Sequence, residues 1–269
     1  MNSDLAQRSL DCLQITDPDT KRAATSALHA DWQAGHVPLP PETSAVEPVE
    51  IPGRPERPLL VAPQDIGRRS IHTRDGHAAL IHALAHIEFN AINLALDAVY
   101  RFRGLPRDYY GDWLQVAAEE ADHFTLLREH LRALDVDYGS FPAHDGLWQM
   151  CIKTARDPLV RMALVPRLLE ARGLDANPAI VKKLNNIGDT RGVEILEIIL
   201  RDEIGHVRIG NRWYEYLCAQ RGLDPALTFQ QLLMEYDAPR PRPPLHREAR
   251  KSAGFSAQEI EYLETGNQR

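Results

Sequence analysis

Four long stretches of this chain repeat apolar residues at intervals of three and four, the period of helices with one buried face. None alternates apolar and polar residues as a half-buried strand would. The first spans 76–103 and stops at Gly104, and Pro106, suited to an opening turn, begins a second that reaches 134. Asp157-Pro158 is an N-cap and first-turn pair for a third, which ends near Gly173. Asn177-Pro178 caps a short helix ahead of the fourth, 189–220. Ahead of these, a polar helix over 21–34 precedes the run 38–63, whose eight prolines exclude regular helix or central strand. That run reads as an extended arm draped on the domain. Beyond 237 the chain is rich in proline and arginine until a last helix, 256–264, opens with the capping box Ser256-Ala257-Gln258-Glu259. The expectation is an all-α chain: a helix and arm over 1–75, a four-helix bundle over 76–220 and an extension over 221–269.

Each of the four stripes carries an acid where an apolar residue is expected. Glu88 lies in line with Ile81, Leu84, Ile92 and Ala95, and Glu120 with Val116, Ala117, Phe124 and Leu127. Glu170 lies in line with Ala163, Pro166 and Leu174, and Glu203 with Leu196, Ile199 and Gly210. Two of these acids open Glu-x-x-His, and the three-residue spacing places Glu120 with His123, and Glu203 with His206, on shared faces. A charge in a core stripe needs compensation, because an unpaired buried charge costs several kcal/mol or more. By the same angles Glu129 and Glu194 fall about 180° from the acids of their helices and His86 about 160° from Glu88, which marks them as surface groups. His82 reads as either a core histidine or one that supports a metal ligand from behind. From Glu88 to Glu120 is 32 residues and from Glu170 to Glu203 is 33, so the chain reads as two similar helical hairpins. The 50 residues between Glu120 and Glu170 leave room for a crossover connection.

Composition narrows the chemistry. Hydrophobic residues at 43% and charged residues at 26% are values of a soluble fold rather than of a disordered or membrane chain. Uninterrupted apolar runs are short and no secretory leader is legible, so no membrane partner is expected and a cytoplasmic location is. Cys12, Cys151 and Cys218 form no C-x-x-C pair, which leaves no cysteine-ligated iron or zinc site. A net charge of −7 argues against a broad phosphate-binding surface, though not against a local basic patch. Four ionised Glu and two neutral His would sum to −4, which two divalent cations neutralise. Mixed oxygen and nitrogen donors suit iron or manganese better than zinc. Iron is the first choice, with manganese or a mixed Mn/Fe pair as alternatives.

One Glu from each of two helices and Glu-x-x-His from each of the other two resembles the ligand set of the ferritin-like dimetal superfamily. The likeness covers 76–220, and the runs 164–175 (LVPRLLEARGLD) and 202–207 (DEIGHV) are similar to a bacterial branch long labelled as a domain of unknown function. The resemblance implies a ferritin-like bundle holding two metal ions by Glu88, Glu120, His123, Glu170, Glu203 and His206. It also implies that Asp202 supports His123 and Glu119 supports His206, each carboxylate fixing an imidazole from behind. Leu127 stands where a radical tyrosine would be expected, no rubredoxin-type iron can be built, and a storage shell has no use for the arm and extension. Oxygen chemistry remains: an oxidase or hydroxylase that takes dioxygen or peroxide, an external reductase, and an unidentified small molecule or modified nucleoside as substrate. The alternatives are a ferroxidase, iron-handling or peroxide-detoxifying protein, and a non-catalytic bundle stabilised by metal. The basic segment Arg240, Arg242, His246, Arg247, Arg250 and Lys251 is a candidate contact for an anionic substrate, against the commoner role of a solvated run.

Overall fold

The computed structural model describes residues 3–67 and 69–266, and among these it is all-helical, with an isolated bridge between Leu60 and Ala143 in place of a sheet. The chain divides into two compact units, Met1–Ile152 and Lys153–Arg269.

The first unit holds α1 (Leu5–Gln14), α2 (Pro18–Gln33), a 3₁₀ turn (Pro63–Asp65), α3 (Arg74–Arg101), α4 (Arg107–Ala133) and α5 (Gly146–Lys153). Helix α3 packs along α4, α1 lies on α3, and α2 lies on α4. Thr73 caps α3 by accepting from the Gly76 N–H, and Asp17 caps α2 by accepting from Thr20. From Glu88 to Tyr100 every residue of α3 is buried, which makes it the centre of the unit. By length and composition α3 would also cross a bilayer, but 72% of its most apolar window is buried inside the protein, which fits the core of a soluble protein.

Helix α1 lies ahead of the elements legible in the sequence. It is held by Leu5 and Leu13, both fully buried, and by Lys21, whose Nζ donates to the Cys12 and Leu13 carbonyls at 3.2 and 2.8 Å and to Asn93 Oδ1 at 2.7 Å. A lysine from the next helix thus satisfies carbonyls that α1 leaves open at its end. Burial pushes that ammonium down to about 7. The proline-rich run is non-helical, and its backbone finds partners within this unit. The Gly53 N–H donates to Leu13 O at 2.8 Å, Glu50 O accepts from Trp148 Nε1 at 2.8 Å, and the Val61 N–H donates to Ala143 O at 2.8 Å. Gly53 lies so close to α1 that a Cβ would fall 2.3 Å from the Gln14 carbonyl, so only glycine fits.

The second unit holds α6 (Pro158–Leu164), a π-turn (Val165–Glu170), α7 (Ala171–Asn186), α8 (Thr190–Gln220), α9 (Pro225–Glu235), α10 (Arg247–Ser252) and α11 (Ala257–Thr265). Helices α6 and α7 both pack on α8. Asp157 and Asp189 cap α6 and α8, and Ser256 with Glu259 forms the capping box of α11. One expectation is corrected: the helix does not stop at Gly173, and Asn177-Pro178 opens no new one, because α7 runs through both with Pro178 inside. Instead of capping, Asn177 is buried and donates from Nδ2 to Leu196 O of α8 at 3.1 Å, so packing on α8 overrides the local signal. Helices α5, α9 and α10 are short elements that sequence periodicity did not register.

Candidate metal centre

In the first unit the hairpin of α3 and α4 turns Glu88, Glu120 and His123 toward one another, and Ile92, Ala117, Phe124 and Leu127 of the same helices are all buried. The carboxylates are 5% and 0% exposed and the imidazole 1%. His123 Nδ1 stands 3.4 Å from Glu88 Oε2 and 3.4 Å from Glu120 Oε2, and one donor atom of each residue falls within 4.8 Å of the others. Two carboxylates this close in a dry core cannot both stay ionised without a cation. Burial and the charge of Glu120 push Glu88 up to about 8. Burial works against a proton on His123, yet its two carboxylate neighbours prevail and raise it to about 11. Protons thus supply the positive charge that the acids require.

The second unit carries the other Glu-x-x-His pair on α8. Glu203 Oε1 lies 3.6 Å from His206 Nδ1, with Glu203 9% and His206 1% exposed. Glu170 is half-buried and ends the π-turn, a backbone feature frequent at functional sites. The wider turn fits because α8 offers Gly210 opposite Pro166: a Cβ there would lie 2.5 Å from the proline's Cβ. The sequence stripes had placed Pro166 with Glu170 and Gly210 with Glu203, and here they meet.

The donors suit a metal. Glu88, Glu120 and His123 are side chains that could hold an ion. Among the described residues, Glu88 Oε2 and Glu203 Oε2 are buried with no hydrogen-bond partner, a loss of solvation that a bound cation would offset. Of the two acids next to the motifs, Glu119 accepts from Gln115 Nε2 at 2.9 Å, and Asp202 accepts from Arg201 Nε and Nη2 at 2.8 and 3.1 Å. Glu129 and Glu194 are exposed.

His86 is not a surface group. It is 9% exposed, with Nε2 at 3.0 Å from His144 O and Nδ1 at 2.8 Å from Tyr138 Oη. An Nε2–H donated to the carbonyl leaves Nδ1 to accept from the tyrosine, a neutral tautomer that agrees with burial lowering its pKa. Of the two roles open to His82, it takes that of a core histidine: it accepts the Gly139 N–H at 2.9 Å, and burial lowers it to about 4. The signal for this second polar face was present, since His82, His86 and Asn90 recur every four residues on α3.

Parts of the basic segment are structural. Arg250 is fully buried and forks onto Asp175 from Nε and Nη2 at 2.9 and 2.7 Å, and Arg247 pairs with Glu264 at 2.6 Å. Arg167 in the π-turn pairs with Glu259, donates to Asn211 Oδ1 at 2.8 Å, and lies against the rings of Tyr214, Phe229 and Phe255. These contacts fix α10 and α11 to the rest of the unit.

The family described as "Protein of unknown function (DUF455)" matches residues 14–261. A Haemophilus influenzae protein described as "Uncharacterized protein" is 51% identical over 216 residues, which cover 78% of this chain and 75% of the relative. No solved structure matches.

Proposed function

The chain belongs to the DUF455 family, and from its buried acids we propose that it is a ferritin-like dimetal protein acting as an oxidase or hydroxylase. The observation that carries the proposal is the repetition of one device: a single Glu and a buried Glu-x-x-His in the first unit (Glu88, Glu120, His123), and again in the second (Glu170, Glu203, His206). Together these side chains supply four carboxylates and two imidazoles, a donor set that suits two ions of iron or manganese. When bound, a reduced metal pair supplies electrons to dioxygen, the chemistry of oxidation and hydroxylation. The chain's own residues hold the ions, set their charge, and exclude water: the five most buried ligands are at most 9% exposed.

A nitrogen donor in each Glu-x-x-His favours retention of both ions through a redox cycle over their release to a mineral core. The test is to supply metal-free protein with excess ferrous iron in air, desalt it, and measure iron per chain. Retention near two with an absorption change on exposure of the reduced protein to air supports the reading. Tens of ions per chain would reject it in favour of storage, and two ions with no spectral change would leave a structural metal bundle.

A further inference from the structure

In the first unit a cleft of about 280 Å³, open mouth included, lies between Pro52, Pro55, Pro58 and Leu60 of the arm and Phe89 and Asn93 of α3. Prolines have no N–H to donate, so this wall is apolar and recognition falls to side chains. Most of the polar side chains that line the cleft are already engaged. Tyr138 Oη lies 2.8 Å from His86 Nδ1, His86 Nε2 lies 3.0 Å from His144 O, and Asn90 Nδ2 donates to His86 O at 2.8 Å. Two keep donors to spare. Asn93 is 1% exposed, its Oδ1 accepts from Lys21 Nζ at 2.7 Å, and its Nδ2 has no hydrogen-bond partner. Arg54 is half-buried, pairs from Nη1 with Asp145 Oδ1 at 3.5 Å, and makes no hydrogen bond among the described residues. The other oxygen of that carboxylate, Oδ2, accepts from Gln149 Nε2 at 3.2 Å, so Asp145 does not hold the guanidinium in a fork.

A buried amide N–H left without an acceptor is destabilising, and a guanidinium carries five N–H donors. Both spare groups donate, so the ligand that satisfies them presents oxygen acceptors. A carboxylate does so best, because its two oxygens match the guanidinium fork and its charge is drawn to Arg54. The rest of the lining, the prolines, Leu60 and the Phe89 ring, suits an apolar body. The volume falls just below the range of about 300–1,000 Å³ usual for ligand sites, which limits that body to roughly one ring. We propose that this cleft binds a small organic carboxylate, with its oxygens on Arg54 and Asn93 and its apolar body against the prolines and Phe89. The site lies within the first unit, uses none of the proposed metal ligands, and does not rest on the dimetal reading.

The experiment is calorimetric titration of the full-length protein, as isolated and after metal depletion, with benzoate and with benzamide as its uncharged counterpart. Saturable binding of about one benzoate per chain is expected in both preparations, weakened about tenfold or more for benzamide and in Arg54→Gln. Asn93→Asp keeps an oxygen to accept from Lys21 and replaces the free N–H donors by a second oxygen, so it should weaken benzoate about tenfold or more as well. Arg74→Gln removes the same charge from an exposed arginine outside the cleft, and it should leave the affinity within about twofold. Absence of saturable benzoate binding, or equal affinity for benzamide, would overturn the proposal and leave a cleft that holds ordered water only. Binding seen only with metal present would mean ligation of the metal, and equal weakening in Arg74→Gln and Arg54→Gln would mean diffuse charge attraction; either result also overturns the site. Should Asn93→Asp fail to fold, Arg54→Gln decides the matter alone.

Discussion

At the scale of single residues, the chemistry of the first unit is a contest for protons. Glu88 is raised to about 8 and His123 to about 11, so across the neutral range both hold protons that a metal must displace. The sign follows: lowering the pH protonates the ligands further and weakens metal affinity, and raising it through 8 frees Glu88 and strengthens binding. Titrating metal-free protein with Mn(II) in buffers of different ionisation heat should show release of about one proton or more per chain at pH 7. Buffer-independent heats and a flat affinity between pH 6 and pH 8 would contradict this. Asp202 gives a second prediction at this scale. If its carboxylate fixes a ligating imidazole, Asp202→Asn should lower metal retention by about 10- to 100-fold in a chelator competition. Glu194→Gln, at an exposed position of the same helix, should not, and equal behaviour of the two variants would refute the role of Asp202.

Among the elements, the π-turn is the decisive one. It ends at Glu170, and it rests against α8 only because residue 210 lacks a side chain. Gly210→Ala should destabilise the protein by about 1–3 kcal/mol, the usual effect of overpacking a tight contact. Gly173→Ala in α7, where a Cβ meets nothing within 4 Å, should be neutral or stabilising by up to about 1 kcal/mol from helix propensity. Urea unfolding of both variants checks the pair. Matching midpoints would mean that the turn does not depend on the gap at Gly210. Helix α7 shows where local signals fall short. Asn177-Pro178 has the form of a helix start, but with Asn177 bonded to Leu196 O the helix continues through it.

For the whole molecule, the proposal fixes a metal stoichiometry. Protein isolated without chelators should carry about two transition-metal ions per chain, and Glu170→Ala combined with Glu203→Ala should abolish that loading. Full loading with one ion, or two ions retained in the double variant, would overturn the six-ligand reading. Bound metal should also raise the unfolding midpoint, since a ligand at about 100 times its Kd adds about 2.7 kcal/mol to stability.

The sequence by itself determined the long helices, because the three-and-four period of apolar residues records one buried face whatever covers it. It also determined the candidate site: Glu88, Glu120 and Glu203 stand out as buried acids because ionised groups in an apolar stripe are anomalous without their neighbours being known. Only the tertiary structure decided what depends on a second face or a distant partner. His86 lies on the side of α3 away from Glu88 and was read as exposed, but Tyr138 and the His144 carbonyl cover it. Arg250 sits in a run that reads as solvated, yet it is buried on Asp175, 75 residues earlier. Helix periodicity repeats within a few residues, and burial by a segment far along the chain leaves no period to read.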